Sequence, residues 1–428
     1  MKNLRFLLLP LLLLVLTCKD TPTNPEEEPD PAPTPTSLEC VDGLADGQYP
    51  CENVDLIARL TKTELLGGDQ SLNDIWGWTD PETSREYALV GLTDGVTFVD
   101  ISDPAEPIVV GKLQEALNKA NPLNSVLRDD EEGKEASAWR DIKVFNNFAF
   151  IVSDNQPHGL QIFDLTKLRN ATETPVSFVE DKHYSEFGRA HNVAINESTG
   201  FAYVVGSTTY GGGLHIIDIN DPLNPVFAGF HSDSTVGRGN TGYVHDTQCL
   251  DYDGPDTDYQ NQELCFNSSE THLVIANVTD KQNTSTISKV SYQGRDYAHQ
   301  GWLTEDHRFF LLDDELDSGN TTTYIFDVQD LDAPQLIGTH VTSSLAIDHN
   351  QYVKGSNVYQ ANYTSGLRIL TLNDVESGNL SEVAFFDTFP SNDNHSFDGA
   401  WSNYPFFESG LIIVSDISNG LFILKPNL

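Results

Sequence analysis

The chain is predicted to be an all-β protein, a seven-bladed β-propeller closed by an N-terminal strand. A short apolar strand recurs in one register, starting at Gly95, Gly159, Gly213, His272, Thr322, Gly366 and Gly420. Gly usually opens it and Asp usually closes it, as in GVTFVD and GLHIID. A period of about 50 residues with β-rich units is that of propeller blades, which bury their faces only by stacking on one another. A second heptamer precedes each copy, and between the two lies a further apolar run. The last unit, GLFILKP (420–426), has no outer strand after it, while NVDLIARLTKTEL (53–65) has no blade of its own. Residues 53–65 are therefore expected to complete blade seven and cover its open edge.

The elements follow in chain order. Residues 1–18 form a secretion signal: Lys2 and Arg5 make a basic start, and Leu7 to Leu16 an apolar core broken by Pro10. That core is too short for a bilayer span, which takes about 20 residues. It ends in Val15-Leu16-Thr17-Cys18, a lipobox-like run in which Cys18 is the expected lipidation site; the alternative is an ordinary cleavage site nearby. Residues 19–38 are rich in Pro, Thr and Glu and cannot pack, so they are expected to be a disordered tether. Residues 39–428 are the propeller domain. Its inner strands are read in LNDIWGW (72–78), WRDIKVF (139–145), AHNVAIN (190–196), VHDTQCL (244–250), AHQGWLT (298–304), IDHNQYV (347–353) and DGAWSNY (398–404). Second strands follow, such as YALVGL (87–92) and FAFIVS (148–153), then the Gly-led strand, then a fourth such as PIVVGKL (107–113). β-branched and aromatic residues fill the strands; Gly, Pro, Asn and Asp punctuate the joints.

Composition narrows the function classes. The net charge is −40, from 64 acidic and 24 basic residues, which speaks against a nucleic-acid partner. A carboxylate-rich surface serves solubility, or captures divalent cations. Besides Cys18 the chain holds Cys40, Cys51, Cys249 and Cys265. An even number in an exported protein points to disulfides; of the three pairings, proximity favours Cys40–Cys51 and Cys249–Cys265. No GxSxG elbow, Walker loop or HExxH helix occurs.

Polar residues interrupt the inner heptamers at two positions. At the second stand Asn73, Arg140, His191, His245, His299, Asp348 and Gly399; at the third stand Asp74, Asp141, Asn192, Asp246, Gln300, His349 and Ala400. Side chains alternate along a strand, so one set faces the axial channel and the other the seams between blades. A ligand site at one channel mouth is expected from Asp74, Arg140, Asp141, His191, Asn192, His245, Asp246, His299, Asp348 and His349. Three His in one register followed by Asp348 suit a divalent transition metal, with His191, His245, His299 and Asp348 as the candidate ligands. A plain polar ring satisfied by water is the competing account. Asp313-Asp314-Glu315 ends the second strand of blade five, as a calcium site or a solvated turn. Trp76, Trp78, Trp139, Trp302 and Trp401 all lie in inner heptamers, where seam packing competes with ligand stacking.

These motifs together carry a resemblance. WGWTDPETSREYALVGLTDGVTFVDISDPAEP (76–107), YVHDTQC (243–249), HQGWLTED (299–306), FLLDDELD (310–317), DHNQYVKG (348–355) and GAWSNYPFFESG (399–410) occur in order. The set resembles the bacterial choice-of-anchor B family, which contains LVIVD-type repeats, and it spans residues 38–426. The resemblance implies a secreted or surface-anchored propeller whose anchor varies among members; here Cys18 would be the anchor. It carries over no catalytic residues. The expected protein is a monomeric, exported lipoprotein of the outer membrane or cell surface. It would act as a binding module for an extracellular ligand or protein. The alternative is an exported metal-dependent hydrolase or oxidoreductase using the His/Asp ring.

Overall fold

The computed structural model describes residues 37–116, 139–171, 173–316 and 319–428. The signal segment, Cys18 and the tether as far as residue 36 lie outside the described residues. Seven antiparallel sheets follow one another along the chain as the blades of a propeller. Their inner strands are Leu72–Thr79, Arg140–Phe145, Asn192–Asn196, Asp246–Tyr252, Ala298–Leu303, Gln351–Lys354 and Ala400–Tyr404. The chain then moves outward strand by strand in each blade.

Closure occurs where the sequence places it. Val54–Leu60 pairs antiparallel with Gly420–Pro426 and supplies the outer strand of blade seven. The strand stops at Leu60, and Thr61 to Leu66 turn back toward blade one. The segment before it, Tyr49–Glu52, extends blade six by pairing with Ser381–Phe386. Blade two departs from the simple plan. After its third strand, Leu160–Asp164, the chain makes a 3-10 turn and lends Val176–Phe178 to blade one in parallel. It then returns as Lys182–Tyr184 to finish blade two.

The recurring Gly and Asp have a local physical cause. Gly366 and Gly420 have φ of +75° and +100°, and a Cβ there would strike the carbonyl of Phe386 or Leu60 on the adjoining outer strand. Only Gly fits this approach. At the other end, the carboxylates of Asp100, Asp164, Asp218 and Asp327 each accept the backbone N–H two residues on, at 2.9–3.0 Å. Asn277 does the same with its amide oxygen, at 3.0 Å. These Asx turns end the strand and aim the chain at the outer edge.

The apolar residues between Gly and Asp fill the seams. Ile162 and Leu160 of blade two pack with Val204 and Ala202 of blade three, and Phe266 and Ile275 of blade four with Phe310 and Phe326 of blade five. Across the closure, Leu60, Leu421 and Ile423 meet Ile75, Val90 and Leu92 of blade one. Both expected disulfides are present, Cys40–Cys51 and Cys249–Cys265. The second joins residues directly opposed on the first two strands of blade four.

Candidate functional site

Side chains at the start of the inner strands form a belt that ties each blade to the next. Asp74 accepts from the Ile142 N–H at 3.2 Å, and Asp141 from the Val193 N–H at 2.7 Å. The Asn192 amide donates to the His245 carbonyl at 3.2 Å, and His245 Nδ1 donates to the His299 carbonyl at 3.0 Å. Gln300 bonds both the N–H and the carbonyl of Gln351, and His349 Nδ1 donates to the Trp401 carbonyl. The Leu72 N–H closes the circle on the Ile417 carbonyl at 3.3 Å.

Above this belt four imidazoles stand side by side. Ring centroids are 4.2 Å apart for His191 and His245, 4.2 Å for His245 and His299, and 4.4 Å for His299 and His349. They come from blades three to six and form an arc at one mouth of the channel. Trp139 lies beyond His191 at 6.2 Å, and Trp401 beyond His349 at 5.1 Å. Asp74, Arg140, Asn192 and Asn350 complete the lining of this small depression. Trp139 is half-exposed at the rim, whereas the His299 and His349 residues are buried.

The run after blade five's second strand contributes the missing carboxylate. Glu315 Oε2 stands 3.9 Å from His299 Nε2, and Oε1 stands 3.6 Å from His349 Nε2. The Tyr363 hydroxyl donates to Glu315 Oε1 at 3.0 Å. Asp314 leaves the opposite side of the strand, and Asp313, on the same side as Glu315, meets the far nitrogen of the His299 ring. Asp313 meets His299 Nδ1 at 3.1 Å and accepts the Gln300 N–H; Asp314 accepts from Tyr292 and from the N–H groups of Asp296 and Tyr297. The three carboxylates thus do not converge as a calcium loop would need. Among the described residues, potential metal donors gather closely in two places. One is His245, His299 and Glu315, with ligand atoms within 4.8 Å of one another; the other is Asp256, Asp330 and Asp332 on the rim of blades four and five.

One expected member of the site, Asp348, is placed differently, and another, Arg140, lines the mouth but spends its guanidinium elsewhere. Asp348 is not beside the three His: its Oδ2 accepts from the Thr323 hydroxyl at 2.9 Å, and His349 takes the fourth place in the arc. The cause is register. In blade six the third heptamer residue, His349, takes the place that the second residue takes in blades three to five, so the heptamers are offset by one residue there. Arg140 turns its guanidinium into the seam with blade one, donating to the Leu92 and Thr93 carbonyls at 3.0 and 3.3 Å and meeting His158 Nε2 at 3.0 Å. Asp141 and Asp246 lie deeper than the His arc. Lys143 binds Asp141 at 2.5 Å, stands 3.7 Å from Asp74, and lies 4.4 Å over the Trp76 ring. Past it, Trp76, Trp302, Tyr352, Tyr404 and Phe406 stack edge to face and fill that part of the channel. Trp78 instead packs in the seam of blades one and two. The five Trp therefore divide among mouth, channel and seam.

Electrostatics separates the two layers. Burial lowers the basicity of His245 and His349 well below the usual range, aided by the neighbouring imidazoles, and burial lowers His299 too. His191 is the exception: burial opposes its cation, but the 2.8 Å contact with Asp154 prevails and raises it. Lower down, burial pushes Asp246 up to about 7, with the charge of Asp141 adding to the rise. Burial also raises Asp74; it acts upward on Asp141 too, but there the Lys143 charge and the hydrogen bonds from Asp74, Lys143 and the Val193 N–H together lower the carboxyl. One shared cation thus serves Asp141 first. Asp154 and Lys143 were not singled out in the sequence; Glu315 was expected only within a possible calcium site, and Trp139 and Trp401 only as stacking candidates that compete with seam packing. For Glu315 the available signal is its position, one residue past a strand that ends at the mouth.

The LVIVD repeat family profile matches residues 83–114 and 187–232, which are the outer strands of blade one and most of blade three. No curated protein matches the chain. Among solved structures, the chain is similar to a protein from Lactobacillus plantarum at 13% identity and a TM-score of 0.50, covering 81% of this chain and 88% of that one. It is also similar to the Cps50 (Swd1) β-propeller domain of Myceliophteria thermophila at 10% identity and a TM-score of 0.54, covering 87% of this chain and 99% of that one. At such identities the likeness establishes the propeller fold.

Proposed function

We propose that this protein is an exported binding propeller, tethered to a bacterial membrane by a lipid on Cys18, that takes its ligand at the His mouth. The observation that carries the reading is the mouth itself. Four imidazoles, a carboxylate and two Trp converge on one concave place, while the opposite part of the channel is filled by aromatic rings. Polar groups at a rigid depression are what recognition uses. The LVIVD repeats, the lipobox-like Val15-Leu16-Thr17-Cys18 and the unpackable tether support display outside the cell, in the manner of the choice-of-anchor B family.

Two measurements test this reading. Labelled fatty acid is expected to enter the wild-type chain and not Cys18→Ala, and protease added to intact cells is expected to remove the wild-type protein. Equal labelling of both chains, or of neither, rules out the anchor; complete protection in intact cells rules out surface display.

A further inference from the structure

We infer that the mouth is a divalent transition-metal centre in which His245, His299 and Glu315 are the ligands and His349 the fourth donor. This rests on reading the mouth as the ligand site and names what the site takes. The first observation is convergence: one ligand atom each from His245, His299 and Glu315 lies within 4.8 Å of the others. Donors around a tetrahedral ion at 2.0–2.1 Å are about 3.4 Å apart, so a small inward movement completes the set. His349 Nε2, 3.6 Å from Glu315 Oε1, is already at that spacing from one donor.

The second observation is how the rings are held. His245 Nδ1 donates to the His299 carbonyl and His349 Nδ1 to the Trp401 carbonyl. His299 Nδ1 meets the Asp313 carboxyl, and Tyr363 donates to Glu315. Each imidazole therefore has an outer partner on Nδ1, and Glu315 is held by Tyr363 through Oε1, the oxygen nearer His349. An Nδ1–H on a carbonyl fixes the tautomer that leaves the Nε2 lone pair free, as in established metal centres. A belt built only to join blades has no need of a second row of free nitrogens facing one carboxylate. Imidazole with a single carboxylate suits zinc, copper, nickel or iron rather than calcium or magnesium, which take oxygen.

The test uses the full chain, made without a polyhistidine tag and stripped with a chelator, then titrated with cobalt(II) and zinc. One equivalent of cobalt is expected to bind, with intense visible ligand-field bands of low-symmetry coordination, and zinc is expected to displace it. Glu315→Gln keeps the shape and the Tyr363 contact. His245→Asn keeps a donor for the His299 carbonyl but removes Nε2. Both are expected to weaken zinc binding by about 100-fold or more, comparable to or above the loss seen on removing an outer-shell partner, with melting retained. A wild-type chain that takes up no stoichiometric cobalt overturns the inference whatever the variants do. Binding unchanged in both variants overturns it as well. Because lipid labelling and surface exposure are read separately, a metal-free mouth would leave the binding reading standing, and loss of surface display would leave the metal centre standing.

Discussion

At the residue scale, a few buried polar groups decide how the fold responds to pH. Asp416 ends the second strand of blade seven, accepts the N–H groups of Ser418 and Asn419 at 3.0 and 2.7 Å, and is fully buried. Burial pushes its carboxyl up to about 6. An unfolded Asp titrates near ~3.9, so the folded chain binds more protons between these values, and this group's contribution to stability falls as pH rises through that window. Asp416→Asn keeps one acceptor and removes the charge. It is expected to stabilise the protein by about 2 kcal/mol at pH 7.5 and to change little at pH 4. Thermal melts at the two pH values check this, and an equal shift at both would contradict it. The repeat residues were legible in the sequence for equally local reasons. A Gly opening each strand and an Asp closing it report a forbidden Cβ and an Asx turn, which depend on few neighbours. Asp348, and the direction of the Arg140 guanidinium, were not, because both depend on the seam the side chain enters.

At the element scale, period-2 reasoning works where strands are regular and fails where they bulge. Registers shift between Leu72 and Ile75, between Ala298 and Gly301, and between Ala400 and Ser402, all at the mouth end of inner strands. A bulge sets two residues against one and re-aims the side chains. In blade five this lets both His299 and Gln300 serve mouth and belt, so no simple division into channel and seam sets holds there. The closing strand, by contrast, was legible as a surplus apolar strand at one end of the chain and a deficit at the other. Val54, Leu56 and Leu60 are its buried residues. Each contributes roughly 1.5–3 kcal/mol by burial, and together they approach the ~5–15 kcal/mol net stability of a typical domain. Deleting residues 39–65 is expected to abolish cooperative unfolding, and Leu56→Ala to cost about 2–5 kcal/mol. A cooperative melt near the wild-type temperature after the deletion would count against closure by this strand.

On the scale of the whole molecule, the propeller gathers residues far apart in sequence onto one axis. His191, His245, His299 and His349 are brought into one arc by blades three to six. Three of them were readable as one set from their common heptamer position; His349 was expected at the mouth, but Asp348 was read in its place as the fourth member of the set. The run holding Glu315 was legible as a candidate cation site, but the pairing of Glu315 with the imidazoles was not, because it depends on rings from two blades. The same ring arranges the channel in layers: a nitrogen-rich mouth, an acidic layer around Lys143, and an aromatic filling. Asp74 and Asp141 share Lys143 beneath the His arc, so the lone cation of this layer is already engaged and the mouth above keeps its donors free. The most direct measurement is an anomalous difference map at the zinc edge from crystals grown with stoichiometric zinc. The account predicts one strong peak at the mouth, bonded to His245 Nε2, His299 Nε2 and the Glu315 carboxylate. A mouth without a peak, with zinc elsewhere or nowhere, would contradict it.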